Sequence, residues 1–172
     1  MMPILVGLHN PYSSNPRNAL APGPRGSAGY RLWRTMWEAP DPVGVARLAR
    51  DHTSCYMASF DRRNLITGEV PTYITSAYKL ACAGQMLPTF PKGSTVVLLG
   101  SAVAESFSPL LSSPLQKIYM HPQVIDGWTW RCLPHPSGRS PLYNDPVMRT
   151  LVGMVLCDVL SAAQEQQHDA TQ

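Results

Sequence analysis

What this chain lacks narrows its chemistry before any motif is read. It has no uninterrupted apolar run of the roughly 18 residues that mark a membrane-spanning helix. Its four cysteines (Cys55, Cys82, Cys132 and Cys157) lie far apart, in no CxxC or Cys/His spacing suited to zinc or an iron–sulfur cluster. They read as small buried hydrophobes in a reducing compartment, and neither metal nor cofactor is expected. Lysine is scarce: only Lys79, Lys92 and Lys117 occur. Charged residues make up a low 15%, and the net charge of +3 is too small to identify a partner by itself, although its sign suits a polyanion. No basic residue precedes the apolar stretch Ile4 to Leu8, so that stretch reads as a buried strand rather than a signal peptide. The expectation is an intracellular monomer with no membrane association.

What is present is mostly arginine, prolines in loops, and short apolar runs. With 14 basic residues and three lysines, eleven are arginines, whose planar forks suit phosphates and base edges better than lysine does. A length of 172 residues implies one domain, taken as 1–164, with a polar, flexible tail over 165–172. Apolar runs at Ile4 to Leu8, Thr95 to Leu99 and Trp130 to Leu133 predict buried strands of a mainly parallel sheet, and Lys117 to Met120 predicts a fourth. Helices are predicted over Tyr30 to Glu38, Val43 to Asp51, Thr72 to Leu87 and Asp145 to Gln164. In the first of these, Leu32, Trp33, Met36 and Trp37 share one face. In the last, Asp145 stands as N-cap and Pro146 as first helical residue. Strands alternating with helices make an α/β protein.

Two polar loops follow strands directly. The stretch Asn10 to Gly29 holds four prolines, three glycines, three serines and three asparagines without periodicity. A loop of about 20 residues in a compact domain is uncommon and is usually functional or disordered. The second runs from His135 to Asn144. In open α/β sheets ligands sit beyond the carboxyl ends of strands, which places a site where these loops converge.

The first loop opens "GLHNPYSS" (Gly7 to Ser14) and the second "HPSGRS" (His135 to Ser140). This ordered pair resembles the two motifs of uracil-DNA glycosylases, a strand ending in Gly-x-(Asp/Asn)-Pro and a later (His/Asn)-Pro-Ser-x-x-Ser. "GYRLWRTMWEA" (Gly29 to Ala39) is similar to a helix of the mismatch-specific branch, and "VVLLG" (Val96 to Gly100) to the family's third strand. The resemblance implies a three-layer α/β/α sandwich around a central, mainly parallel four-stranded sheet. It implies a monofunctional DNA glycosylase that flips out uracil or a 5-substituted uracil and hydrolyses its bond to deoxyribose. Asn10 takes the water-positioning place and His135 the place of the donor to the pyrimidine O2. Gly7, His9, Pro11 and Tyr12 fall in the substrate-binding motif, with Tyr12 where a tyrosine blocks the thymine methyl group. Asn64 resembles a pyrimidine-reading asparagine, since an amide matches a Watson–Crick edge with one donor and one acceptor group. Ser13, Ser14 and Arg17 are phosphate candidates, with Arg25 nearby, and Ser137, Gly138, Arg139 and Ser140 form the loop that enters a DNA groove.

The chemistry asks for such groups. Cleaving an N-glycosidic bond builds negative charge on the departing base, which calls for a donor aimed at its oxygen and a positioned water at the sugar. The base must also leave the stack and sit in a shaped pocket. Three features depart from the family pattern: His9 is inserted between glycine and Asn10, the catalytic acid is replaced by Asn10, and no phenylalanine stands between Ala19 and Ala28 to stack on the base, which leaves Tyr30 or Trp33 as substitutes. Arg139 replaces the usual wedge leucine. Each site residue also has a plainer structural role open to it: Asn10 as an Asx turn before Pro11, His135 as a strand-end histidine held by backbone, Tyr12 as a loop aromatic, the serines as turn residues. Two other functions therefore stay open on the same fold: a binder of modified or single-stranded DNA that does not cut, and an N-glycosidic hydrolase of free or hypermodified nucleotides.

Overall fold

The computed structural model describes residues 1–40, 53–68, 70–116 and 121–169. Two sequence expectations, the helix Val43 to Asp51 and the strand Lys117 to Met120, lie outside these residues. The elements run β1 (Ile4–Gly7), α1 (Ala28–Glu38), α2 (Thr53–Ser59), β2 (Asp61–Asn64), α3 (Ser76–Met86), β3 (Thr95–Leu99), α4 (Ser101–Phe107), β4 (Gln123–Ile125), β5 (Trp128–Leu133), α5 (Pro141–Asn144) and α6 (Pro146–Asp169).

The strands form one mixed sheet of five in the order β2-β1-β3-β5-β4. β2, β1, β3 and β5 run parallel, and β4 pairs antiparallel with β5 at the edge. This is an α/β fold, with one strand more than the four expected. Side chains alternate along the central strands because successive residues of a strand face opposite sides. Leu5, Val97, Leu99 and Leu133 enter a core with Leu32 and Met36 of α1, Tyr56 of α2, and Val152, Leu156 and Leu160 of α6. Ile4, Val6, Val96, Leu98, Trp130 and Cys132 enter a second core with Ala83 of α3 and Val103 and Phe107 of α4. Trp130 anchors that second core at 0% exposure, with the rings of Phe107 and Trp128 centred 5.8 and 5.9 Å away.

Two of the five strands, β2 and β4, carry little apolar signal in the sequence. β2 has the sequence Asp-Arg-Arg-Asn and lies at an edge, in register with β1 from Ile4 opposite Asp61 to Gly7 opposite Asn64. Its arginines are accommodated by their own contacts: Arg63 pairs with Asp61 at 2.6 Å and lies 5.2 Å over the Phe90 ring. β4 has only three residues. In the expected helix Tyr30 to Glu38, α1 starts earlier, at Ala28, because the Ser27 hydroxyl caps it by accepting from the Tyr30 N–H at 3.1 Å. Trp37 is not core: it is 48% exposed, with the Arg34 guanidinium 5.0 Å from its ring. α3 begins later than Thr72 because Thr75 is its cap. Asp145 caps α6 through the Met148 N–H, and α6 continues beyond Gln164 to Asp169. By length and mean hydropathy (1.5), Pro146–Gln166 is long and apolar enough to cross a bilayer, yet Val152, Leu156, Val159 and Leu160 are core residues of this fold.

Candidate functional site

Four parallel strands put four carboxyl ends on one edge of the sheet: Gly7, Asn64, Leu99 and Leu133. The two polar loops leave from that edge, and a cleft of about 550 Å³ opens between them. His9, Asn10, Pro11, Tyr12, Asn64, His135, Ser137, Gly138 and Arg139 all line it, so nine of the residues singled out in the sequence meet in one concavity. Its far wall is Leu20, Ala21 and the start of α1 at Ser27, Ala28 and Gly29. Sequence reasoning did not find that wall.

The first loop is braced from beneath. The Arg62 guanidinium donates to the carbonyls of Ala19 and Arg17 at 2.7 and 3.4 Å, and the Tyr56 hydroxyl donates to the Leu20 carbonyl at 3.3 Å. Leu20 is held at φ 49, in the left-handed region that costs an L-residue roughly 1–2 kcal/mol. Gly29 permits the loop to lie directly on α1: a Cβ there would stand 2.1 Å from the Ala21 carbonyl oxygen. The second loop is seated by Gly100, whose φ of 98 turns the chain out of β3. A Cβ at Gly100 would come within 2.9 Å of the His135 Cβ, so the bare backbone makes the space the imidazole occupies. The signal for Gly100 was visible as the last letter of "VVLLG", but not its neighbour.

Asn64, at the end of β2, is 6% exposed, lines the cleft, and its side-chain amide makes no hydrogen bond with the described residues. Its amide is not among the atoms shielded from solvent, so it meets water only through the cleft, and a ligand there can take the place of that water. His9 is the more fully sequestered group: its Nδ1 is shielded from solvent and unpartnered, which costs about 1–3 kcal/mol. His135 is half-buried, and its pKa lies below the ordinary histidine range, first because burial disfavours the cation and second because His9 adds positive potential. A neutral imidazole keeps one N–H donor and one lone pair. No carboxylate and no lysine lines the cleft among the described residues.

Asn10 is more committed than the sequence implied. Its Oδ1 accepts from the Tyr12 N–H at 2.9 Å and its Nδ2 donates to the Asn18 carbonyl at 2.9 Å, which makes an Asx turn that folds the loop back on itself. One lone pair and one N–H remain to it. Tyr12 is 62% exposed at the cleft, and neither Tyr30 nor Trp33 reaches the lining. Trp33 packs against the first core and Tyr30 lines a neighbouring cavity, so neither substitutes for the absent phenylalanine.

Several expected residues sit outside the cleft. Gly7 is buried at the strand end behind it, where a Cβ would meet Leu20 at 3.0 Å and Asn64 Oδ1 at 3.5 Å. Ser13 accepts from the Asn15 N–H and the Asn18 amide, Ser14 is exposed, and Arg17 lies in the single 3-10 turn Pro16–Asn18. Ser140 is the N-cap of α5, accepting from the Tyr143 N–H at 3.2 Å. Within the cleft lining, by contrast, Ser137 accepts from the Arg139 N–H at 3.3 Å, and Arg139 is exposed. Comparison with protein-family models and with curated protein sequences finds no match.

Proposed function

We propose that this cleft receives a pyrimidine flipped out of DNA, and that the chain is a glycosylase-like protein hydrolysing the bond between uracil, or a 5-substituted uracil, and deoxyribose. The observation that carries this reading is the Asn64 amide, buried and unpaired beside two imidazoles in a cleft with no carboxylate. An amide Nδ2–H and Oδ1 complement the O4 and N3–H of uracil, and the base would replace the water at a group to which the fold gives no protein partner. His135, held neutral, donates to the base oxygen on which negative charge develops. The opening turn of α1 faces the same space with N–H groups that have no intrahelical partner and a positive dipole end. Asn10 contributes its remaining lone pair to orient water. An amide cannot take the proton, so the chemistry runs slower than a carboxylate would allow by about 10²–10⁴-fold. The sandwich of helices on both sheet faces, with the two motifs on strand ends, is in keeping with the uracil-DNA glycosylase fold, working inside the cell without metal or cofactor.

A second reading has its own observation. The two Asn10 hydrogen bonds that build the turn and the solvent-facing Tyr12 favour a protein that holds a modified base or single strand without cutting it. Incubating the protein with oligonucleotides carrying one uracil, hydroxymethyluracil or mismatched thymine, followed by alkali, separates the two. Strand scission is expected for at least one substrate. Tight binding with every strand intact selects the binder, and neither binding nor scission refutes both.

A further inference from the structure

Beside the cleft lies a second cavity of about 240 Å³, lined by Arg25, Arg31, Arg34 and Arg149 together with Glu38 and Tyr143. The two spaces share Gly26 as a common wall. Charge in this cavity is not balanced. Glu38 is taken by Arg34, at 2.7 Å, which leaves three guanidinium groups without a carboxylate among the described residues. Arg31 has a single long hydrogen bond to the Asn144 Oδ1 at 3.5 Å, and the side chains of Arg25 and Arg149 make none. The Nε atoms of both Arg31 and Arg149 are shielded from solvent and unpartnered. Both residues stand in first turns, Arg31 in α1 and Arg149 in α6, where the helix dipole adds positive potential and disfavours a cation. Like charges gathered at two helix starts repel unless an anion joins them.

Arg31 links this cavity to the cleft. Its Nη2 would lie 2.8 Å from a Cβ at Gly138, so the guanidinium packs against the bare backbone of the second loop. Asn144 secures the arrangement, donating to the Gly138 carbonyl at 2.8 Å while accepting from Arg31. An anion bound here would thus sit beside the cleft, across Gly26 and the backbone of the second loop.

We propose that Arg25, Arg31 and Arg149 form a phosphate site that clamps a phosphodiester flanking the flipped nucleotide, so that the ligand class is a nucleic-acid strand and not a free nucleoside. Anion binding follows from the arginines alone; the assignment of that anion to a DNA strand rests on the function proposed above. The test measures binding of a fluorescent uracil-containing oligonucleotide, deoxyuridine monophosphate and deoxyuridine to the wild-type protein and to Arg149→Gln, Arg25→Gln and Asn64→Ala. Each arginine variant should bind the oligonucleotide about tenfold more weakly, with a salt slope smaller by about one, and deoxyuridine as before. Arginine variants that bind the oligonucleotide like the wild type overturn the site. An equal loss on the monophosphate overturns the strand assignment in favour of a free nucleotide. If the arginine variants lose affinity while Asn64→Ala loses none, the phosphate site stands and the base-binding role of the cleft fails.

Discussion

At the scale of single residues, the site gathers polar groups that the fold completes only in part, Asn10 more than Asn64 or His9. His135→Ala should lower the excision rate by about 10²-fold or more with the fold intact, since a half-buried loop side chain contributes little to stability while a preorganised donor contributes much to turnover. Single-turnover rates on a uracil-containing strand, with a thermal melt as control, check this. Asn10→Ala should reduce the rate comparably, but with weakened loop order as well, because both its turn hydrogen bonds disappear. Arg139→Ala should chiefly weaken DNA binding and flatten its salt dependence. The histidine also sets a sign for pH. Folded His135 has a pKa below its ordinary value near 6.5, so the unfolded chain takes up the proton first as pH falls. Stability is therefore present in full above about pH 6.5 and declines below it. Thermal unfolding at about pH 7.5 and 5.5 should show a smaller acid loss in His135→Gln than in wild type.

At the scale of elements, close backbone approaches decide where the loops stand. Gly29 lets the first loop rest on α1, and Gly153 lets α6 approach α1, where a Cβ would meet that of Ala39 at 2.5 Å. Gly29→Ala should cost about 1–3 kcal/mol by overpacking, read as a lower melting temperature, and should weaken base binding because Leu20 and Ala21 are cleft wall. These contacts explain what the sequence could and could not show. The two motifs were legible because each opens a loop directly after an apolar strand. The brace under the first loop was not, since Arg62 and Tyr56 read as an edge-strand charge and a helix-face aromatic. β2 escaped notice because its residues are polar, yet it delivers Asn64 to the cleft floor. The role of Gly100 depends on which strand lies beside it, a fact of topology that periodicity does not carry.

At the scale of the whole molecule, parallel pairing is what makes the site. Gly7, Asn64, Leu99 and Leu133 are far apart in the chain, and they meet because four strands share one direction. The unbroken apolar runs Ile4 to Leu8 and Thr95 to Leu99 made that class of fold legible from sequence, while the fifth, antiparallel strand and the arginine cavity were not. That cavity depends on α1, α5 and α6 converging, which no local pattern encodes.

The central claim is that the Asn64 amide waits for a base. Its most direct test is the affinity of the wild-type protein and of Asn64→Ala for one oligonucleotide carrying, at a single position, either 2′-fluoro-2′-deoxyuridine, whose glycosidic bond resists hydrolysis, or an abasic sugar. The wild type should bind the base-bearing strand at least tenfold more tightly, and Asn64→Ala should lose most of that difference, because the N3–H and O4 of the bound base are then buried without a partner. Equal affinity of the wild type for the two strands, or full discrimination by Asn64→Ala, would contradict the account.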